Sequence, residues 1–201
     1  MATQSNQENF LGGFAKILSE QWQVDLLLKA RDTEEGAAIS AHKLVMAARS
    51  EVFKKMLEFD KFKASDGKIE TVTLSELNKE ELEALVEFIY NNRSVLSVKE
   101  KKHVQALYIA ADKYEIPHLR DLCRKELISS LNSSNAFNIL ELSFIPFDKA
   151  MNDSAAIFIV RNLGTICNSV EFKVFAGKNP DLSVEIIKVY MTHRWNGQYV
   201  Y

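Results

Sequence analysis

The first apolar residues of the chain recur at the spacing of one helical face: Leu11, Phe14, Ala15 and Leu18. This spacing predicts an amphipathic helix, whereas the polar residues 1–9 before it are expected to be disordered. Gly12 and Gly13 each lower intrinsic helicity by roughly 1 kcal/mol, so this helix should need a packing partner to persist. A second subunit is one candidate for that partner.

The next patterns predict a sheet with a helix between its strands. Residues 24–30 and 37–40 are typical of two strands in a hairpin, joined by a polar loop that contains a glycine. Val72 and Leu74 alternate with threonines and predict a third strand with one buried face. Ser50 is placed to cap the intervening helix. The apolar face of that helix carries Val52, Phe53, Met56 and Leu57.

Two further helix starts have the same local signature. Asn78 is followed by Glu81, and Ser97 by Glu100, so each capping side chain stands three residues before a glutamate that can reach back to it. The second of these starts predicts one helix that continues to Tyr114. These patterns indicate that helices follow the third strand directly.

A change of pattern divides the chain after the next helix. Pro117 suits the first turn of that helix, where its missing N–H matters little. Its apolar face carries Leu119, Leu122, Cys123 and Leu127. The polar turn formers of residues 131–135 mark the best domain joint, and about four helices are predicted beyond it. The helical spacing of apolar residues does not continue through residues 195–201.

Composition narrows the class of protein. The 201 residues, 47% of them apolar, suffice for one large or two small domains. A net charge of -2 offers no basic field for a polyanion, so we expect no nucleic-acid partner. Because the chain shows neither a secretory signal nor a membrane-spanning apolar run, we expect a cytoplasmic or nuclear protein without a membrane partner. Cys123 and Cys167 are predicted to be buried, reduced thiols.

The sequence offers no constellation of catalytic or metal-binding residues. The 4 histidines are too scattered for a metal pair: His42, His103, His118 and His193. Gly12 and Gly13 lack the strand and the lysine that surround them in a phosphate-binding loop. His118 precedes Cys123 on one predicted helix, and a core cysteine near a surface histidine explains the pair more simply than a nucleophile does. We therefore expect no enzyme activity, no cofactor and no metal.

Several blocks of the sequence occur in the order found in a known family: residues 25–28, 39–57, 88–90, 107–114 and 119–123. They extend from Asp25 to about Leu127 and resemble the BTB/POZ domain, whose fold assembles proteins. From Ser129 onward, the chain resembles the helical BACK extension that often follows such a domain, with weaker markers at 135–140 and 169–172. The layout is similar to that of plant BTB/POZ proteins without an appended recognition domain.

This resemblance implies an α+β fold in two parts. A small, mainly antiparallel sheet flanked by helices forms the BTB/POZ domain, and an all-helical BACK-like region follows it. The implied segments are a disordered N-terminus at 1–9, the BTB/POZ domain with its dimerisation helix at 10–128, the BACK-like region at 129–194 and an aromatic tail at 195–201.

The resemblance also implies a homodimer interface, which it assigns to Leu11, Phe14, Leu18, Asp25 and His42. The alternative is that the first helix packs only on its own subunit. His42 stands at a strand-to-helix junction, where a histidine is usually a structural hydrogen-bonding residue, and we give it no catalytic role. Asp25 opens an apolar strand, so a carboxylate buried there should have a partner across the fold or across a subunit boundary.

A second implied surface would contact cullin-3. The family's contact loop carries an apolar residue, any residue and a glutamate, and the corresponding residues are Phe62, Lys63 and Ala64. The apolar residue matches and the glutamate does not, although a buried apolar anchor usually contributes more than a rim charge. Tyr90 matches another contact position of the family, and core packing is its alternative role.

The expected function is that of a substrate-specific adaptor in a cullin-3-RING ubiquitin ligase, which promotes protein ubiquitination. The substrate would be a protein bound by the BACK-like surface or by the aromatic tail, which contains Trp195, Tyr199 and Tyr201. An unstructured end is the alternative interpretation of that tail. A dimerisation scaffold or corepressor-recruiting module without cullin binding is the alternative function, which Ala64 favours slightly.

Overall fold

A computed structural model of the protein describes residues 6–32, 37–59, 69–91 and 93–195, without the side chains of residues 6–11, 59 and 193–195. The chain divides into two compact units, residues 1–123 and 124–201. The boundary falls within the helix Pro117–Ser129, a few residues before the predicted end of the BTB/POZ domain at residue 128.

The first unit combines helices with three strands. Its elements are α1 (Asn6–Glu20), β1 (Leu26–Ala30), β2 (Ile39–Ala41), α2 (Lys43–Arg49), α3 (Glu51–Phe59), β3 (Glu70–Leu74), α4 (Lys79–Asn91), α5 (Val98–Lys102), α6 (Val104–Lys113) and α7 (Pro117–Ser129), of which α7 crosses the boundary. The predicted α+β class is confirmed, and α7 begins at Pro117 as its sequence indicates.

The sheet has the strand order β2-β1-β3. The strands β1 and β2 form the predicted antiparallel hairpin, in which Leu26 lies opposite Ala41. The strand β3 pairs with β1 in parallel, with Leu28 opposite Val72. The sheet in the described residues is therefore mixed, where a mainly antiparallel one was predicted. The reason is that β2 ends beside the first residue of β1, and the long connection containing α2 and α3 crosses from there to the other side of β1, where β3 begins at the same end.

The core of the first unit forms around α4. Most residues of α4 from Leu82 to Tyr90 are buried, and Leu26 and Leu28 of the sheet are fully inaccessible to solvent. On the other side of the core, the rings of Phe53 and Tyr114 stack with centroids 4.6 Å apart. Burial of this apolar surface is the main term that stabilises the unit.

The predicted helix caps are confirmed. The Phe53 N–H donates to Ser50 Oγ at 3.1 Å, which makes Ser50 the cap of α3. Asn78 and Glu81 exchange the reciprocal bonds of a capping box, at 2.9 and 2.8 Å. The second capping box, at the start of α5, is also present.

The predicted helix that follows the second capping box is interrupted. Its continuation to Tyr114 breaks at His103, which separates α5 from α6. The His103 N–H bonds to the Glu100 carbonyl, three residues back, at 3.1 Å, and this tighter turn ends α5.

Basic residues in and before α5 form ion pairs with acidic residues of α4: Lys102 with Glu80 at 2.7 Å, Lys99 with Glu83 at 3.0 Å and Arg93 with Glu87 at 3.2 Å.

The first helix is longer than predicted. Helix α1 begins at Asn6, so residues 6–9, predicted to be disordered, are helical. Extending an existing helix by a polar turn is easy because its nucleus is already formed. Helix α1 packs against α4 of the same chain. A Cβ added at Gly12 or Gly13 would meet no described atom within 4 Å, so neither glycine serves a close approach within the part of the chain that the structure describes.

The described part of the second unit is all-helical, as predicted. After the end of α7 it contains α8 (Ala136–Leu142), α9 (Lys149–Ile166), α10 (Val170–Lys178) and α11 (Pro180–Trp195). Helix α9 packs against α8 and α11. Trp195, assigned to the aromatic tail, is the last residue of α11, and residues 196–201 lie outside the described part of the chain. The BACK-like character of this unit stays a prediction.

A buried polar cluster connects α7 to the start of α9 within the second unit. Asp148, 5% exposed, accepts a hydrogen bond from the Met151 N–H at 3.2 Å and caps α9. Its other oxygen pairs with Arg124 Nε at 2.5 Å.

The prediction of two buried thiols is right for Cys123 and wrong for Cys167, which is partly exposed because it follows the last buried turn of α9. No helix in the described residues is long and apolar enough to cross a membrane.

Candidate interaction surface

The junction between β2 and α2 is organised by His42. Its extended backbone, with φ of -124° and ψ of 123°, precedes the first residue of α2. The His42 N–H donates to the Tyr90 hydroxyl at 2.8 Å. Its ring lies between the same hydroxyl, 2.7 Å from Nδ1, and the Trp22 carbonyl, 2.7 Å from Nε2. One side chain therefore connects the turn after α1 to α4.

The proton positions in this network follow from its partners. A carbonyl oxygen only accepts, so Nε2 must carry the proton that bonds Trp22. In a neutral imidazole Nδ1 is then the acceptor, and the Tyr90 hydroxyl donates to it while accepting the His42 N–H. Every group of the network is satisfied in this arrangement. The expected architectural role of His42 agrees with this geometry.

Tyr90 lies in the core and is only 1% exposed. Burial raises the pKa of its hydroxyl to about 12; the His42 N–H opposes that rise, and the charge of Asp25 adds to it. The hydroxyl therefore keeps its proton at neutral pH and remains available as a donor. Of the two roles considered for Tyr90, core packing is its role within the single chain. Its assignment as a cullin contact stays a prediction.

Asp25 is exposed, contrary to the expectation of a buried carboxylate. Its Oδ1 accepts the Lys43 N–H at 2.8 Å, at the N-terminus of α2. A carboxylate there is stabilised by unpaired amides and by the helix dipole, so Asp25 needs no charged partner. The Lys43 ammonium pairs instead with Glu70 Oε2 at 2.6 Å. The partner that the Asp25 carboxylate was expected to have is therefore a backbone amide of the same chain.

Two large apolar residues next to this polar network in the chain are exposed. Trp22, whose carbonyl bonds the His42 ring, is 58% exposed, and Leu44, two residues after His42, is 77% exposed. Sequence reasoning missed both residues as surface candidates. Leu44 could have been predicted to be exposed, because residues two positions apart lie on opposite sides of a helix and Met46 is buried. Trp22 gave no signal because it lies between two predicted elements.

The remaining predicted dimer residues all belong to α1, and the structure describes the side chains of two of them. Phe14 and Leu18 are half-buried on α1, while the side chain of Leu11 lies outside the described part of the chain. Leu18 lines a groove of about 350 Å³ together with Ile39 and Val86. Part of Leu18 is therefore directed toward its own chain. Assignment of these residues to a dimer interface stays a prediction.

The predicted cullin loop, Phe62, Lys63 and Ala64, lies outside the described residues. Within the described ranges, no group of three or more His, Cys, Asp or Glu side chains is arranged to hold a metal ion. At the His42 junction, the described residues combine a hydrogen-bonded network with the exposed apolar residues Trp22 and Leu44. This arrangement suits protein contact, since apolar anchors supply most of the binding energy at protein interfaces.

Comparison with known proteins identifies the family. The family model of the BTB/POZ domain matches residues 14–131. A putative BTB/POZ domain-containing protein of Arabidopsis thaliana is 63% identical over 193 residues, which cover 96% of this chain and 92% of that protein. Another BTB/POZ domain-containing protein of the same plant is 58% identical over 189 residues, covering 94% of this chain and 84% of the relative.

Among solved structures, the BTB domain of zebrafish PATZ1 matches with a TM-score of 0.48 and 16% identity, covering 65% of this chain and 99% of that domain. The family model and the two plant relatives settle the assignment without it. The chain belongs to the BTB/POZ domain family.

Proposed function

We propose that this protein is a substrate-specific adaptor of a cullin-3-RING ubiquitin ligase that acts as a homodimer in the cytoplasm or nucleus. BTB/POZ domains are protein-interaction domains. The observation that carries the proposal is the match to this domain over residues 14–131, followed by a separate helical unit that offers a second surface. One unit would bind the cullin, and the other would hold the protein to be ubiquitinated.

The proposed homodimer uses the face around α1 and α2. Phe14 and Leu18 on α1, with Trp22 and Leu44 beside His42, supply apolar surface. The exposed carboxylate of Asp25 lies at the edge of the same region. An apolar centre with a polar rim is the usual composition of a protein interface. Loss of the dimer on replacing Phe14 with Asp, measured by light scattering, would support this assignment.

The proposed cullin contact centres on Phe62, with Lys63 beside it. The experiment is calorimetric titration of the full chain with the N-terminal domain of cullin-3. If Phe62 is the buried anchor, Phe62→Asp should weaken binding at least about 30-fold, the effect of losing a hot-spot residue. Ile157→Asp is the matched control, because it adds the same charge at a 51% exposed residue of the second unit.

Each result has a defined meaning for the proposal. Binding that survives Ile157→Asp and fails with Phe62→Asp supports the adaptor function and the chosen anchor. Binding that also survives Phe62→Asp would show that another residue is the anchor. Tyr90 would then be the remaining candidate, but only if its side chain became exposed on binding. Lack of binding by the well-folded wild-type chain would contradict the adaptor function.

A scaffold that recruits regulatory proteins, including corepressors, without binding cullin-3 is the second candidate. The observation that favours it is Ala64, which replaces the glutamate of the family's cullin-contacting loop. Replacing Ala64 with Glu distinguishes the two functions. A gain of cullin binding in the variant, with none in the wild-type chain, would assign this protein to the scaffold function.

A further inference from the structure

The strand β2 has an edge that no other described strand covers. In the order β2-β1-β3, β1 pairs with one side of β2, and within the described residues no strand lies on its other side. The N–H and carbonyl groups of such an edge are a template for a further strand. The outer edge of β3, on the opposite side of the sheet, has the same property, so the two edges can be compared by experiment.

The direction of the main-chain groups in β2 follows from the strand pairing. The Glu70 N–H of β3 donates to the Asp25 carbonyl at 3.2 Å, so the residues of β1 with even numbers direct their main-chain groups toward β2. These residues lie opposite Ile39 and Ala41. Ser40, between them, therefore directs its N–H and carbonyl away from β1. Neither group has a hydrogen-bond partner among the described residues.

This edge borders the groove of about 350 Å³ that Leu18 lines. Three consecutive residues, Ala38, Ile39 and Ser40, take part in the lining. Successive side chains of a strand point to opposite faces of the sheet, so consecutive residues share a lining when the strand turns its edge toward the space. The N–H and carbonyl of Ser40 are therefore accessible from the groove.

The lining residues from α4 and α5 determine which side chains a ligand should carry. Val86 adds apolar surface, Glu83 and Glu87 add two carboxylates, and Lys99 adds one ammonium. Lys99 Nζ lies 3.0 Å from Glu83 Oε2 and 3.9 Å from Glu87 Oε2, so one cation is shared between two anions. Arg93 also pairs with Glu87, at 3.2 Å, which leaves Glu83 as the less neutralised carboxylate. An aliphatic side chain together with a basic one is the complement of this lining.

We propose that the groove binds an extended peptide segment of another protein, which adds to β2 as a further strand. The main chain of the peptide bonds the N–H and carbonyl of Ser40. An aliphatic side chain contacts Leu18, Ile39 and Val86, and an Arg or Lys two positions away bonds Glu83. Both side chains enter the groove because residues two apart share a face of a strand. Main-chain bonds supply affinity and the two side chains supply specificity. The proposal goes beyond cullin binding and the homodimer, and it rests on neither.

Selection from a phage-displayed peptide library tests the proposal. The library carries random peptides of about seven residues, the length of a short strand, and the target is the full chain. Peptides with a basic and an aliphatic residue two positions apart should be enriched. A synthetic copy of an enriched peptide should then bind the full chain in a calorimetric titration. Failure to enrich any peptide, or enrichment of peptides without this pattern, would overturn the proposal.

Ser40→Pro tests the main-chain contact. Proline removes an N–H that no sheet bond uses, and an edge strand tolerates proline at such a position. Binding of the enriched peptide should weaken about 10-fold, the effect of losing one hydrogen bond. Thr73→Pro is the matched control, because Thr73 is exposed and has the equivalent outward position on β3, so it should leave binding unchanged. Binding that survives Ser40→Pro, or that is lost with Thr73→Pro instead, would overturn the proposal.

Glu83→Gln tests the side-chain contact without altering the main chain. This change and the replacement of the basic residue of the peptide by Gln should each weaken binding, and the two effects should not add if the groups are bonded. Additive effects would overturn the contact with Glu83. Light scattering tests a different occupant of the groove. If excess peptide lowers the mass of the wild-type chain, a second copy had filled the groove and the proposal is wrong.

Discussion

Removing the Tyr90 hydroxyl tests the hydrogen-bond network that connects α1, α2 and α4. Tyr90→Phe keeps the buried ring but leaves the His42 N–H and Nδ1 without their partner, at present 2.8 and 2.7 Å away. A buried polar group left unpaired destabilises a protein by about 1–3 kcal/mol. His42 is 9% exposed, so water can replace little of what is lost. We expect the free energy of unfolding to fall by about 3 kcal/mol.

Urea unfolding followed by tryptophan fluorescence measures this change. The chain has 2 tryptophans, so a Trp195→Phe background leaves Trp22, beside the network, as the single reporter. The slope of free energy against urea should stay constant, because the surface exposed on unfolding is the same. His42→Ala completes a double-mutant cycle, in which we expect a coupling energy of about 1 kcal/mol or more with Tyr90→Phe.

A loss below about 0.5 kcal/mol would refute the reasoning, since that is the range of ordinary surface substitutions. It would mean that the Tyr90 hydroxyl does not bond His42 in solution. Strictly additive effects of Tyr90→Phe and His42→Ala would contradict the ring bond in particular. The main-chain bond would then be the only contribution of the hydroxyl.

Further predictions concern both units. The Ser50 hydroxyl caps α3 and also donates to the Tyr114 carbonyl at 2.5 Å. Ser50→Ala removes both bonds and should lower the free energy of unfolding by about 2 kcal/mol in urea titrations; an unchanged midpoint would contradict the cap. Asp148→Ala removes the carboxylate that bonds Arg124 Nε and caps α9, so the free energy of unfolding of the second unit should fall by about 3 kcal/mol; amide exchange in α9 measures this fall, and unchanged protection would contradict it. The pKa of Tyr90 is raised from 10.0 to about 12 in the folded chain, so the unfolded chain releases this proton first and stability should fall between these two pH values. Circular dichroism against pH checks this fall, which Tyr90→Phe should diminish.

Local sequence signals predicted the helix starts well. The caps at Ser50, Asn78 and Ser97 depend on residues three positions apart, so the relevant partners are visible in the sequence itself. The hairpin and the position of Pro117 were predictable for the same reason. The break at His103 was not, because apolar spacing runs through it without interruption and the tighter turn depends on backbone geometry.

Long-range features were harder to predict. The partner of Asp25 is an amide of Lys43, and neither composition nor periodicity indicates that β1 begins beside the N-terminus of α2. The parallel pairing of β3 depends on the path of the connection, which the sequence pattern of the strands does not specify. Tyr90 was open to two roles because the family resemblance assigns it to a contact surface, whereas its aromatic ring also suits the core.

The position of His42 between the Trp22 carbonyl and the Tyr90 hydroxyl has a consequence for linkage between folding and association. The turn that follows α1 is bonded to the interior by this ring, so a change in the core at Tyr90 removes one of the contacts that position the helix carrying Phe14 and Leu18. Partner binding to α1 would, by reciprocity, tighten the core. If α1 forms the proposed interface, a substitution at the buried Tyr90 would alter partner affinity without changing any atom that touches the partner.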